Sequence, residues 1–167
     1  RTFFGVGSGN TAKRIMGMPP QKIAEFDAYL QTLVPLLRGE EAWLKHEEKN
    51  IPIKHIMPDD GFVNFKDPIP LFVSGFGPKS LALAGTYGDG AVLGVSTPHA
   101  ARQSLSAVYE GARSVGRVGM PQDCGNCFYN TALTCISVLD HREPVDSARV
   151  KSECGAMAMA SVHYAFD

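Results

Sequence analysis

Apolar positions in this chain follow two rhythms, short continuous runs and longer stretches spaced by three or four. Thr2 to Gly7 is a short run and reads as a strand, ending in the glycine-rich turn Gly7-Ser8-Gly9-Asn10-Thr11-Ala12. From Pro20 to Arg38 the apolar residues Ile23, Phe26, Leu30, Leu33 and Leu37 recur at helical spacing, with Gly39 as the stop and Pro35 kinking or shortening the last turn. Ile69 to Val73 has the length and content of a buried strand, and a helix from Pro78 to about Thr86 follows it. Gly88-Asp89-Gly90 reads as a tight turn and Ala91 to Gly94 as the next buried strand. Ser96 or Thr97 caps a helix that starts at Pro98, runs through Ala101, Leu105, Val108, Ala112 and Val115, and is closed by Gly116, Gly119 and Pro121. Cys127 to Val138 reads as a further strand. A last helix, about Asp146 to Tyr164, sets Val150, Cys154, Met157 and Ser161 along one side, with its methionines in the core.

One connection breaks the rhythm. Glu40 to Asp67 is charged at first (Lys45-His46-Glu47-Glu48-Lys49). It then carries two β-like runs, Ile51 to Ile56 and Phe62 to Phe65, separated by the turn residues Pro58-Asp59-Asp60-Gly61. An insertion of this length is either a lid or active-site wall, or a surface hairpin with no role.

Strands that alternate with helices specify a parallel sheet with helices outside, the α/β class, in one domain spanning 1–167. Ligands of such folds sit at the carboxyl ends of the strands. Gly7, Ser8, Gly9 and Asn10, then Ser74, Gly75, Phe76 and Gly77, then Gly94 and Ser96 all fall there. The middle group carries the most chemistry. A strand that breaks at Ser74-Gly75-Phe76-Gly77 and opens a helix at Pro78 leaves backbone N–H groups pointing one way, where the helix dipole favours an anion. Lys79 adds a full charge beside them, so the turn suits a phosphate.

Composition narrows the choice of partner. Lys and Arg total 16 against 17 Asp and Glu, which gives no basic excess for a nucleic acid. No apolar run approaches the roughly 18 residues of a membrane span. The chain opens on Arg1 with a strand-like run and no signal peptide, so a cytoplasmic fragment of something longer is expected. Cys124-Gly-Asn-Cys127 has the spacing of a metal or redox pair, but no second half-site has knuckle spacing among Cys135, Cys154, His141 and His163. Reduced, unrelated thiols are expected, and no metal. His46 and His55 read as solvated or structural groups. A dinucleotide fold would need a third glycine where Asn10 stands and a carboxylate at the end of a second strand, whereas Asp27 falls mid-helix.

Two blocks resemble the bacterial luciferase-like family: Phe4-Gly-Val-Gly-Ser-Gly-Asn-Thr-Ala12, and Pro68-Ile-Pro-Leu-Phe-Val-Ser-Gly-Phe-Gly-Pro78 continuing to Gly88-Asp-Gly90. The Gly-Asn-Thr-Ala segment, with Gly61 to Pro70, is most similar to the branch that contains methylenetetrahydromethanopterin reductases. The family comprises flavin-dependent monooxygenases and deazaflavin-dependent (coenzyme F420) reductases on a (β/α)₈ TIM barrel. The resemblance implies an oxidoreductase using reduced FMN and O₂, or a deazaflavin by hydride transfer to a small-molecule substrate. It further implies that Gly75, Phe76 and Gly77 hold the coenzyme phosphate, that Gly7 to Asn10 lie near the ring, and that Gly94 to Ser96 line the next strand end.

Relatives in this family run to about twice the present length, and the matched region corresponds to their strands four to seven. Family residues that act on substrate lie largely in the missing part, so the catalytic residues are unknown and no general acid or base is assigned. A partial barrel leaves two sheet edges and the inner face of the strands open, which implies a homo-oligomer or completion by the missing half. The alternative from another class is an inactive fragment, or a non-catalytic module that binds a flavin or other phosphate ligand.

Overall fold

The strand that organises the molecule is Leu71–Gly75, whose residues alternate between buried (Leu71, Val73, Gly75) and half-buried (Phe72, Ser74). The computed structural model describes residues 2–117 and 128–165. It divides into two units, Arg1–Thr131 and Ala132–Asp167.

In chain order the first unit holds β1 (Phe4–Gly7), α1 (Asn10–Ile15), α2 (Ile23–Leu37), β2 (Ala42–His46) and β3 (Lys49–Ile53). Then come β4 (Leu71–Gly75), α3 (Pro78–Tyr87), β5 (Gly90–Leu93) and α4 (Pro98–Ser114), with β6 (Tyr129–Ala132) at the unit boundary. One sheet has the order β1-β4-β5-β6, with β4 parallel to both β1 and β5; β2 and β3 form a separate antiparallel hairpin. This is the α/β architecture expected, and α2, α3 and α4 supply Phe26, Leu30, Leu81, Ala84 and Val108 to one core with Leu71, Val73, Ala91 and Leu93.

Two glycines bring α3 and α4 into backbone contact. A Cβ built on Gly85 would lie 1.8 Å from the Val108 carbonyl oxygen, and one on Gly111 would lie 1.9 Å from that of Ala82. The carboxyl end of α3 is then tied down from outside. The Arg117 guanidinium donates to the carbonyls of Gly85 at 2.9 Å and Gly88 at 2.7 Å, placing a cation where the helix dipole favours one. Tyr87 donates its hydroxyl proton to Asp27 Oδ1 at 2.6 Å and links α3 to α2. Burial first, and then this acceptor, raise the Tyr87 pKa. Asp27 thus lies within helix α2 and not at the end of a second strand, where a dinucleotide fold places its carboxylate.

Asp89 locks the amino ends of the strands. Its carboxylate accepts the Leu71 N–H at 2.9 Å, its own N–H donates to the Leu71 carbonyl at 2.7 Å, and its carbonyl accepts the Tyr129 N–H at 3.1 Å. One residue of the Gly-Asp-Gly turn therefore ties β4, β5 and β6 together. On the sheet face away from the helices an aromatic row runs from Phe3 through Phe72 to Tyr129, with ring centroids 4.8 and 6.4 Å apart. Phe3 and Tyr129 are exposed there.

Four sequence expectations are corrected. The charged stretch Lys45 to Lys49 is the tip of a hairpin in which Ala42–His46 forms β2, Glu47 turns the chain with φ 53°, and β3 runs Lys49–Ile53 in place of the expected Ile51 to Ile56. Residues 62–65 are not a strand. Pro58–Asp60 is one 3₁₀ turn, Asn64 bonds to Asp67 and to the Lys66 N–H, and Phe65 packs within 2.7 Å of a Cβ built on Gly39. Asn10 opens helix α1 instead of lying in a turn. Of the strand expected over Cys127 to Val138, only Tyr129–Ala132 forms, and Cys127 lies outside the described residues.

In the second unit, α5 (Ala148–Ala165) half-buries Val150, Cys154 and Met157, as its spacing predicts, whereas Met159 is exposed. Its first turn carries a polar knot. Arg149 pairs with Glu143, donates to both Glu153 oxygens at 3.1 Å, and donates to the Val138 carbonyl at 2.9 Å. Arg149, with help from the Ser147 hydroxyl, lowers the Glu143 pKa to about 2.

Candidate functional site: three strand tips

The parallel register sets Gly7 opposite Ser74, Ser74 opposite Val92, and Gly75 opposite Leu93. The carboxyl ends of β1, β4 and β5 therefore finish level along one edge of the sheet. The groups singled out in the sequence stand on or directly after these ends.

At the β4 tip the glycines have separate reasons. A Cβ on Gly75 would meet the Ser80 hydroxyl at 2.7 Å and backbone atoms of Ser80 and Leu81 at 2.9 and 3.0 Å, so glycine lets the strand end lie against the first turn of α3. Gly77 is the N-cap residue, in extended conformation (φ −88°, ψ 159°), and a Cβ there would meet nothing within 4 Å. No side chain caps the helix. Pro78 has no N–H to lose. The next amides, of Lys79 and Ser80, precede the first residue that can bond within the helix, and that bond is Leu81 N–H to the Gly77 carbonyl at 3.0 Å. The Ser80 hydroxyl donates to the same carbonyl at 2.9 Å and so turns away from those amides. What remains is an uncapped, positively polarised end with the exposed Lys79 beside it.

The neighbouring tips are shaped around it. A Cβ on Gly94 would fall 2.2 Å from Phe76 Cε1, so the Phe76 ring lies directly on Gly94 and ties the two turns together. Phe76 is still half exposed, at 51%. Thr97 is the residue that caps α4, accepting the Ala100 N–H at 3.2 Å, and Ser96 is left exposed beside it. At the β1 tip a Cβ on Gly7 would lie 3.4 Å from that of Ser74. Ser8 is half-buried, Gly9 turns the chain with φ 67°, and Asn10 follows with its Oδ1 buried and without a hydrogen-bond partner.

His55 Nε2 lies 2.8 Å from the Leu36 carbonyl, and its ring packs on Phe65 at 4.8 Å, a structural contact at the end of α2. His46 is exposed on the hairpin. Among the described residues no group of His, Cys, Asp and Glu could hold a metal, and no helix is long and apolar enough to cross a membrane. The Cys124–Cys127 pair lies outside the described residues. Sequence reasoning missed the Asp89 latch, the Arg117 cap and the glycine contact between α3 and α4. For the last of these a signal existed, since glycines inside helical patterns mark close approach.

The architecture has known counterparts. An F420-dependent secondary alcohol dehydrogenase, solved in complex with an F420-acetone adduct, superposes with a TM-score of 0.57 at 22% identity, covering 77% of this chain and 38% of that one. The coenzyme F420-dependent tetrahydromethanopterin reductase from Methanopyrus kandleri gives 0.53 at 20% identity, covering 81% and 41%. At such identities the likeness speaks for the fold, a partial (β/α)₈ barrel, and this chain spans about two fifths of the length of either structure. The family model of luciferase-like monooxygenases matches residues 1–126, from β1 to beyond α4. The chain therefore belongs to the luciferase-like monooxygenase family.

Proposed function

We propose that this chain forms the phosphate-binding part of a flavin- or deazaflavin-dependent oxidoreductase. The observation that carries this reading is the uncapped amino end of α3, level with the tips of β1 and β5 and flanked by Lys79. FMN and coenzyme F420 both carry a phosphate that such a turn suits, and the F420 dependence of the two similar enzymes favours the deazaflavin.

In this reading the Lys79 and Ser80 amides and the Lys79 ammonium hold the phosphate. The half-exposed Phe76 ring walls the turn, while Gly7, Gly94 and the Ser74 and Ser96 hydroxyls line the approach of a flat ring. The residues fit such a group: glycine keeps the cup open at Gly77, and a buried acceptor on Asn10 stands unpartnered. When bound, the coenzyme supplies the redox chemistry. None of Gly7 to Asn10, Ser74 to Gly77, Gly94 and Ser96 is an acid or base, so a proton donor for substrate would come from elsewhere. That same feature favours a second reading, a coenzyme-binding module without turnover of its own.

Closure of the barrel belongs to this proposal. The exposed Phe3 and Tyr129 on the open sheet face, and the outer strands β1 and β6, would pair with further strands, from the same protein or from a second copy. The protein would work in the reducing cytoplasm, where free Cys135 and Cys154 stay as thiols. Titration with FMN, coenzyme F420 and NAD, followed by fluorescence, tests the reading. Saturable binding of FMN or coenzyme F420 but not NAD is expected, and binding of neither coenzyme overturns it.

A further inference from the structure

Among the described residues, Asn10 Oδ1 is the one buried side-chain polar atom without a hydrogen-bond partner. Buried acceptors are nearly always paired, so an orphan at a strand tip points to a donor that arrives with a ligand. Its surroundings do not supply one. Gly9, in the left-handed region, swings the chain out of β1, and Asn10 emerges from the tip that is in register with Ser74, one residue before the phosphate turn.

The polarity of the atom decides what it can meet. An amide oxygen only accepts, so it cannot serve a phosphate oxygen, which also accepts. Asn10 Oδ1 therefore meets a donor group of the ligand and not the phosphate that faces Lys79 and Ser80. Both coenzymes also offer ribityl hydroxyls, which can turn to water or to other acceptors, whereas their oxidised rings share one donor fixed in direction, the N–H at N3 of the pyrimidinedione. We infer that Asn10 Oδ1 accepts the hydrogen bond of that N3–H and is a specificity-determining residue for the ring. The inference rests on the coenzyme reading above. It adds a demand that reading does not make: the site favours a ring with a free N3–H over one whose N3 is blocked, because only the former gives the buried oxygen a partner.

The test compares FMN and coenzyme F420, each against its N3-methyl derivative, by fluorescence titration of the wild-type chain, Asn10→Leu and Asn10→Asp. In the wild type, N3-methylation is expected to weaken binding about fivefold or more. Asn10→Leu should bind methylated and unmethylated rings alike within about twofold, with its affinity for inorganic phosphate unchanged. Asn10→Asp keeps an acceptor in the same place and should keep the discrimination, which preserves the test if the leucine variant fails to fold. A wild type indifferent to N3-methylation overturns the inference and leaves the coenzyme reading standing. So does a leucine variant that still discriminates, as it would if the methyl group merely clashed elsewhere. A chain that binds neither coenzyme overturns both.

Discussion

Replacing Gly85 by alanine adds one methyl group where the structure has no room for it. The new Cβ would sit 1.8 Å from the Val108 carbonyl oxygen and 2.7 Å from the Ala112 nitrogen, all backbone of α4. Contact needs about 3.5 Å, so α3 and α4 must separate by well over 1 Å. A gap of that size forfeits a quarter to a half of the attraction at each contact it opens. Those contacts include the fully buried Ala84, Val108 and Ala112. Overpacking of this kind costs about 1–3 kcal/mol, and the immovable backbone argues for the upper end. Against it stands the helix propensity of alanine, about 1 kcal/mol in its favour. The net expectation is a loss of about 2 kcal/mol, or about 4–8 °C in Tm for a chain of this size. Gly155 is the internal control. It too lies inside a helix, α5, but a Cβ there meets nothing within 4 Å. Gly155→Ala should be neutral or stabilise by up to about 1 kcal/mol. Thermal and urea unfolding of both variants reads the contrast. A Gly85→Ala protein as stable as wild type would refute the helix contact on which the core is built.

Two further outcomes follow from the polar contacts. Asp89→Ala removes the acceptor of the Leu71 N–H and should cost about 1–2 kcal/mol in chemical unfolding; an unchanged midpoint would mean that the latch is idle. Glu143, held at about 2 against an ordinary 4.5, binds its proton more weakly in the fold than in the unfolded chain. Its contribution is thus fully present above about pH 4.5 and is lost as pH falls toward 2. Loss of α5 helicity over that window, followed by circular dichroism and absent from Arg149→Met, is the expected result; identical acid profiles for the two proteins would contradict it.

The parts of the fold that could be read from sequence were those where packing and local chemistry agree. Leu71 and Val73 alternate into the core, Pro78 stands at a first helical position, and Thr97 both precedes a helix and caps it. The failures have physical causes of their own. Helix α1 buries no residue, so it leaves no apolar periodicity to read. Strand β2 has Trp43 and Leu44 set among charges, and only its pairing with Lys49–Ile53 makes it a strand. Conversely Ile136 and Val138, β-formers by type, are exposed outside any sheet. The site was legible as three separate turns. That they end level follows from the register of β1, β4 and β5, which no local pattern encodes. The orphaned oxygen of Asn10 is likewise a property of packing.

The most direct test of the phosphate cup is the coenzyme affinity of Gly77→Asp. The backbone at Gly77 is extended and its Cβ would point into open space, so aspartate fits, and as an N-cap it should hold or slightly raise Tm. Its carboxylate would occupy the amides of Lys79 and Ser80 and repel a second anion. The account predicts a stable protein whose Kd for FMN or coenzyme F420 rises at least about tenfold, the equivalent of one charge-assisted hydrogen bond. Unchanged affinity in that folded variant would contradict it.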